Sequence, residues 1–361
     1  MEDIYYLHCL NLFPSLGPKR LGLLGNMFES FEQAWHANPQ DLAPLALTPD
    51  NLRAFFEFKN NINIEEEKLK LDQLSIKIIA FDNPKYPNLL QEIPTPPAIL
   101  YWRGTLPSHD SLMFSVVGTR KITTYGRSVV PQLVAPLVDA GVTIVSGLAY
   151  GVDSLAHKQA VDKNKPTVAV LGGGIDDATL YPKPHVLFAH EIINTGGCII
   201  SEYPPKTPSF KQNFVARDRI ISGLSMGTLI VECDLKSGSL ITAKYALDQN
   251  RRLFAVPGPI YASESRGPNN LIKMGAQLVT ESSDILNDLN IIPTKSEITF
   301  ASDITPQEET ILAILKTEPL IIDEIINSAK LDAATVTTAL TFLEMKGRIK
   351  NLGGQQYARV H

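Results

Sequence analysis

Three cysteines in 361 residues, Cys9, Cys198 and Cys233, are too few and too far apart to frame a disulfide scaffold. No Cys-x-x-Cys pair or Cys/His cluster occurs, which argues against structural zinc; no cofactor is expected. The thiols read as small buried hydrophobes in a reducing cytosol. No apolar run approaches the roughly 20 residues of a membrane span. The first residues lack the basic and apolar regions of a signal peptide. The expectation is a cytoplasmic protein with no membrane partner. An excess of positive charge is also lacking, the formal net being −5. A nucleic-acid role therefore needs a local basic site rather than bulk attraction.

Several catalytic motifs are missing. No G-x-x-x-x-G-K-[ST] phosphate loop and no G-x-S-x-G nucleophile elbow occurs. Gly172-x-Gly174 begins a dinucleotide fingerprint, but Asp177 stands where the third glycine belongs, so NAD binding is not favoured. The seven histidines are scattered, and His157 reads as a packing or capping residue.

What is present is ordinary globular material, 44% apolar and 20% charged, long enough for two or three domains. Residues 1–75 carry apolar residues at helical spacing. Pro14 and Gly17 break that pattern in the manner of a helix-hairpin-helix (SAM-like) domain, whose turn offers N–H groups to phosphate, with Lys19 and Arg20 beside it. A helical packing module without a ligand is the other reading. From residue 76 the period changes. Runs at 76–81, 98–102, 112–117, 142–145, 167–171, 198–201, 228–231 and 253–256 read as strands. Helical segments at 125–140, 153–162, 184–195, 213–222 and 240–249 separate the later ones. Continuous apolar strands alternating with amphipathic helices predict a parallel sheet covered on both faces, an α/β, doubly wound, Rossmann-like domain over 76–288. Residues 289–305 read as a linker. Residues 306–361 read as three helices and a wing turning at Gly353-Gly354, a winged-helix domain. Its last helix is almost free of basic residues, which favours protein contact over duplex reading.

Ligands of such a sheet bind beyond the carboxyl ends of its strands. There the chain places Gly118 and Arg120, then Ser146-Gly147 through Asp153, then Gly172–Asp177, then Lys236 with Ser237-Gly238-Ser239. Glycine lets backbone approach a ligand and Arg120 offers a bidentate fork to phosphate. Asp153, Asp176, Asp177 and Glu232 also lie at strand ends, where carboxylates cap helices or orient cations. One strand end opens onto residues 210–225, which hold Lys211, Arg217 and Arg219 with Phe210 and Phe214. Cations and aromatics together suit an anionic ligand that carries bases. The alternative is that both phenylalanines pack a helix onto the sheet.

In combination these residues resemble the DprA/Smf family of DNA-processing proteins from bacterial natural transformation. The resemblance runs through Val117-Gly-Thr-Arg120, Ser146–Asp153 with Ala156-His157, Gly172-x-Gly174 with Tyr181-Pro182, Ser201-Glu-Tyr-Pro204, Phe214–Ile221, Ser237–Thr242, Val256-Pro-Gly258 and Gly267–Ala276. It implies a non-enzymatic protein that binds single-stranded DNA, forms a homodimer through the Rossmann-like domain, and loads RecA recombinase past single-strand-binding protein. The DNA site it implies comprises Gly118, Arg120, Ser146, Gly147, Lys211, Phe214, Arg217 and Arg219. The dimer contact it implies includes Ile272, Met274 and Leu278. Two departures stand out. Gly-Thr-Arg replaces the usual Gly-Ser-Arg, and Asp218 stands where the family usually has asparagine, a negative charge between two cations.

Two other classes compete. Phosphoribohydrolases share Gly-rich strand ends, but their Pro-Gly-Gly-x-Gly-Thr-x-x-Glu signature is absent, the comparable turn being Lys236-Ser-Gly-Ser-Leu-Ile-Thr242. A DNA-binding regulator would act through the winged helix instead.

Overall fold

The computed structural model describes residues 2–108, 110–291, 305–315, 319–345, 348–351, 353–354 and 356–359. They fall into two compact units on either side of Thr294. Most of the expected linker, residues 292–304, lies outside the described residues.

The first unit is built on nine strands: β1 (Lys77–Ala80), β2 (Ile99–Gly104), β3 (Met113–Val117), β4 (Thr143–Ser146), β5 (Thr167–Val170), β6 (Cys198–Ser201), β7 (Gly227–Ile230), β8 (Arg252–Ala255) and β9 (Gln277–Leu278). Their order across the sheet is β1-β2-β6-β5-β4-β3-β7-β8-β9. From β6 to β9 all neighbours are parallel; β1 and β2 join antiparallel. The chain starts the parallel block at β3, winds outward through β4, β5 and β6, then returns to lay β7 on the other side of β3. That return is the switch in strand order where an open α/β sheet forms its crevice.

Every residue of β3 to β7 is buried, because helices cover both faces. Helices Thr124–Asp139 and Val152–Val161 pack with Val116, Ile144 and Leu229 on one face. Helices Lys211–Gly223 and Ser239–Asp248 pack with Val117, Val170 and Ile230 on the other. Burial on both sides is why these strands are continuous apolar runs. Each fully buried Val, Leu or Ile side chain contributes about 1.5–3 kcal/mol against remaining exposed.

The N-terminal helices, Asp3–Asn11, Pro18–Met27, Phe31–His36, Pro49–Asn60 and Ile64–Gln73, share one apolar cluster with Ile99, Tyr101, Ala169 and Ile199 of the sheet. Polar contacts pin the seam. Tyr101 Oη lies 2.9 Å from His8 Nδ1, and Asn11 Nδ2 donates to Tyr101 Oη and to the Glu202 carbonyl. The hairpin turn does not offer Arg20 to a phosphate, since its guanidinium donates to the carbonyls of Ser15, Leu45 and Ala46.

Several elements were not anticipated from the sequence, among them helix Arg266–Lys273, the edge strand β9 that follows it and helix Ser282–Asp288. Among the residues implied for a dimer contact, Met274 is 70% exposed, Leu278 is exposed and Ile272 is partly buried. Their neighbours Leu271 and Val279 are buried in the core.

The second unit carries helices Pro306–Ile314, Ile322–Ala329 and Ala333–Met345. Strands β10 (Leu320–Ile321), β11 (Ile349–Asn351) and β12 (Gln356–Arg359) form a small sheet ordered β10-β12-β11. Gly353 and Gly354 have φ of +93° and +58°, the left-handed backbone that the turn of the wing requires. This is a winged helix, with β10 as an addition to the expected two-stranded wing.

Candidate nucleic-acid interface

The carboxyl ends of β3, β4 and β5 and the start of helix Lys211–Gly223 meet around one aromatic ring, Phe214. The Arg120 guanidinium carbon sits 5.6 Å from its centroid and that of Arg217 6.0 Å. The Tyr181 ring lies 5.6 Å away at a tilt. Phe214 is partly buried and lines a pocket with Arg120, Gly147, Tyr150, Tyr181 and Arg217. Glycine makes this proximity possible. A Cβ on Gly172 would stand 2.8 Å from Phe214 Cδ1, and one on Gly147 would stand 2.3 Å from an Arg217 nitrogen.

The cations of this region divide into two kinds. Arg120 and Lys211 are exposed, and among the described residues neither has an ion-pair partner. Arg217 and Arg219 are only 5% and 8% exposed. Arg217 donates to the carbonyl oxygens of Gly147 (2.8 Å) and Val170, and its Nε donates to Asp218 (3.1 Å). It therefore ties the ends of β4 and β5 together from beneath the pocket. Arg219 forks onto Glu202 at 2.9 and 2.6 Å and also donates to the carbonyls of Thr95 and Ala216. Its position is that of a buried ion pair joining the helix to the end of β6. The two arginines of one motif thus face different surroundings from Arg120.

Asp218 and Asp153 surround the Arg217 charge. Burial pushes the Asp218 carboxyl up to about 6, against the pull of Arg217, and the negative charge of Asp153 adds to the rise. Burial likewise raises Asp153, which Arg217 and the Gly147 amide pull down. Two carboxyls around one guanidinium favour retaining a proton.

The remaining expected residues are structural neighbours of the pocket. Ser146 is buried and its hydroxyl donates to the Val116 carbonyl at 2.7 Å. Gly118 packs so tightly that a Cβ would meet Val152 at 2.6 Å, which lets the turn carrying Arg120 sit against the next helix. Phe210, at the start of the helix, is 51% exposed rather than packed on the sheet. His157 is buried and neutral. Its Nδ1 donates to Thr167 Oγ1, which itself donates to Ile144, and desolvation lowers its pKa to about 3.

Strand-end carboxylates are also occupied. Glu232 accepts from the Thr123 amide and hydroxyl, Asp176 from Thr179 and the Lys206 amide, and Asp177 pairs with Arg103 and His190. Among the described residues no group of His, Cys, Asp and Glu is arranged to hold a metal ion. No helix among them is long and apolar enough to cross a membrane. Sequence reasoning passed over Tyr150 and Tyr181 as site residues. Their signal was an aromatic in or beside the glycine-rich strand ends.

Comparison with known proteins agrees with this architecture. Residues 77–290 match the family model of DNA recombination-mediator protein A, and residues 299–355 match the DprA winged helix domain. Protein Smf of Escherichia coli is 37% identical over 327 residues, covering 88% of this chain and 87% of the relative. Protein Smf of Synechocystis is 33% identical over 397 residues, covering 99% of each. The X-ray structure of DprA from Streptococcus pneumoniae superposes with a TM-score of 0.65 at 30% identity, over 80% of this chain and 98% of that one. DprA from Helicobacter pylori, whose structure is described for its single-stranded DNA binding mode, gives 0.54 at 31% identity, over 60% and 96%. From its Rossmann-like sheet to its winged helix, this chain belongs to the DNA recombination-mediator protein A family, the DprA/Smf proteins.

Proposed function

We propose that this protein binds single-stranded DNA at the Phe214 pocket and delivers it to RecA recombinase in the cytoplasm, displacing single-strand-binding protein and working as a homodimer. The observation that carries this reading is the Arg120–Phe214 pair. An exposed guanidinium with no ion-pair partner among the described residues lies over an aromatic ring at a strand end. Sequence-tolerant single-strand binding needs a positive groove and faces for bases to stack on, each stack contributing roughly 1–3 kcal/mol. Arg120 and Lys211 grip phosphates, Phe214 and Tyr181 receive a base, and Arg217 holds the floor. The single-strand binding described for the Helicobacter pylori relative supports the ligand.

Binding, not turnover, is the proposed activity. The carboxylates that a nucleotide hydrolase would use are tied to amides, hydroxyls and cations. A role for the winged helix in reading duplex DNA is disfavoured by the helix Ala333–Met345. The Thr337, Thr338 and Thr341 hydroxyls are spent on backbone carbonyls four residues back, and the helix has no Lys or Arg.

Mobility shifts with an oligothymidylate at two salt concentrations test the reading. Arg120→Ala and Lys211→Ala should each weaken binding and flatten its salt dependence, by roughly 0.7 in log–log slope for each phosphate released from a cation. Deleting residues 305–361 should leave that binding in place. Unchanged affinity in both point variants would remove the site. Loss of binding on deletion would favour the regulator. RecA filament formation on coated single strands, with and without the protein, tests the loading step.

A further inference from the structure

We infer that the bound strand does not end at Phe214 but continues over Tyr150 into a second cleft, where Arg127 takes a further phosphate. This rests on the single-strand reading above and extends it. The second cleft adjoins the first and shares two of its walls, Arg120 and Tyr150. Beyond them it is lined by Arg127, Lys158, His185 and Phe188. Among the described residues no carboxylate lines it. Lys158 is paired with Asp162 at 2.7 Å, but Arg127 is exposed and has no ion-pair partner among the described residues. A guanidinium without an ion-pair partner among the described residues and aromatic side chains therefore line both clefts, on either side of one tyrosine.

Tyr150 is built to stand between the two clefts. It is 43% exposed, yet the loop that presents it is held tightly. Leu148 has a φ of +55°, which costs energy for a branched side chain and persists only when its surroundings enforce it. The enforcing contact is His185. Its Nδ1 donates to the Leu148 carbonyl at 2.8 Å, while its ring meets Tyr150 edge-on at 4.7 Å. On the other side, Gly151 has a φ of +82°, and a Cβ there would stand 2.2 Å from the Thr119 carbonyl oxygen. The loop is thereby clamped to the turn that carries Arg120. A rigid, exposed ring between two cationic clefts presents a stacking surface at little ordering cost. His185 is a positioning residue and Tyr150 the stacking face.

Fluorescence anisotropy on the full chain, with oligothymidylates of about four and about twelve nucleotides, separates the two readings. Arg120→Ala should weaken both lengths. Arg127 borders the second cleft alone, so Arg127→Ala should spare the short oligonucleotide and weaken the long one. Tyr150→Ala, whose ring borders both clefts, should weaken both and the long one more, roughly tenfold, as expected when one base loses its stacking face. Arg127→Ala should also lower the salt slope of the long oligonucleotide by roughly 0.7, and Arg127→Lys should restore it. If Arg127→Ala acts equally on both lengths, or on neither, while Arg120→Ala still weakens both, the extension is overturned and the Phe214 site stands. If Arg120→Ala changes neither length, the site itself is overturned, and the extension with it.

Discussion

Asp218 accepts a hydrogen bond from Arg217 Nε at 3.1 Å, and the pair, Arg217 buried and Asp218 largely so, lies beneath the pocket with Asp153 close to the same charge. A carboxyl at about 6, above its ordinary 3.8, binds its proton more tightly in the folded chain than in the unfolded one. The native state then holds more protons through that window, so stability falls as pH rises from about 4 to 6 and levels off above it. Asp218→Asn keeps an acceptor for Arg217 and removes the titration. The variant should match the parent at pH 4 and exceed it above pH 6, on the order of 2 kcal/mol. Urea titrations of both proteins across that range check this. A difference that does not change with pH would refute it.

Arg120 and Arg219 should separate binding from stability. Arg219→Ala leaves Glu202 buried without its partner and should destabilise by about 3–5 kcal/mol. Arg120→Ala removes an exposed side chain and should change stability by no more than about 0.5 kcal/mol while weakening single-strand binding. Thermal melts beside binding isotherms decide it. An equal loss of stability in both variants would contradict the division of the cations.

Gly147→Ala should act on the pocket from its floor. The added Cβ would stand 2.3 Å from one Arg217 nitrogen and 2.6 Å from the guanidinium carbon. The guanidinium is fixed by two carbonyls and cannot yield cheaply. A destabilisation of about 1–3 kcal/mol is expected, as for other overpacked sites, together with weaker single-strand binding. Melting temperature and the anisotropy assay report the two effects separately.

The proposed dimer predicts that Met274→Asp and Leu278→Asp yield monomers by light scattering. Both side chains are exposed, so the protomer should keep its fold. A parent protein that is monomeric at every concentration would count against the dimer.

Much of the sheet was legible because burial on two faces leaves continuous apolar runs, and all eight expected strands occur within a residue or two of their places. β9 was not legible. It is two residues long, exposed, and has no period to read. The strand-end glycines and Arg120 were legible as chemistry. The contrast between Arg120 and Arg219 was not, because it depends on Glu202, which reaches Arg219 only after β6 and the following helix have packed. The aromatic walls Tyr150 and Tyr181 escaped notice for a similar reason: their meeting with Phe214 and His185 is tertiary.

The two margins of the sheet are unlike. One ends in the antiparallel pair β1 and β2, against which the N-terminal helices pack; the other ends in β9, short, parallel and bordered by exposed Met274 and Leu278. A molecule with two different rims has one self-complementary patch at most on each. If copies join rim to like rim at β9, the twofold axis consumes that patch in both, and nothing equivalent is left to recruit a third. Assembly through this margin would then terminate at a pair, where head-to-tail joining of opposite rims would grow into a filament.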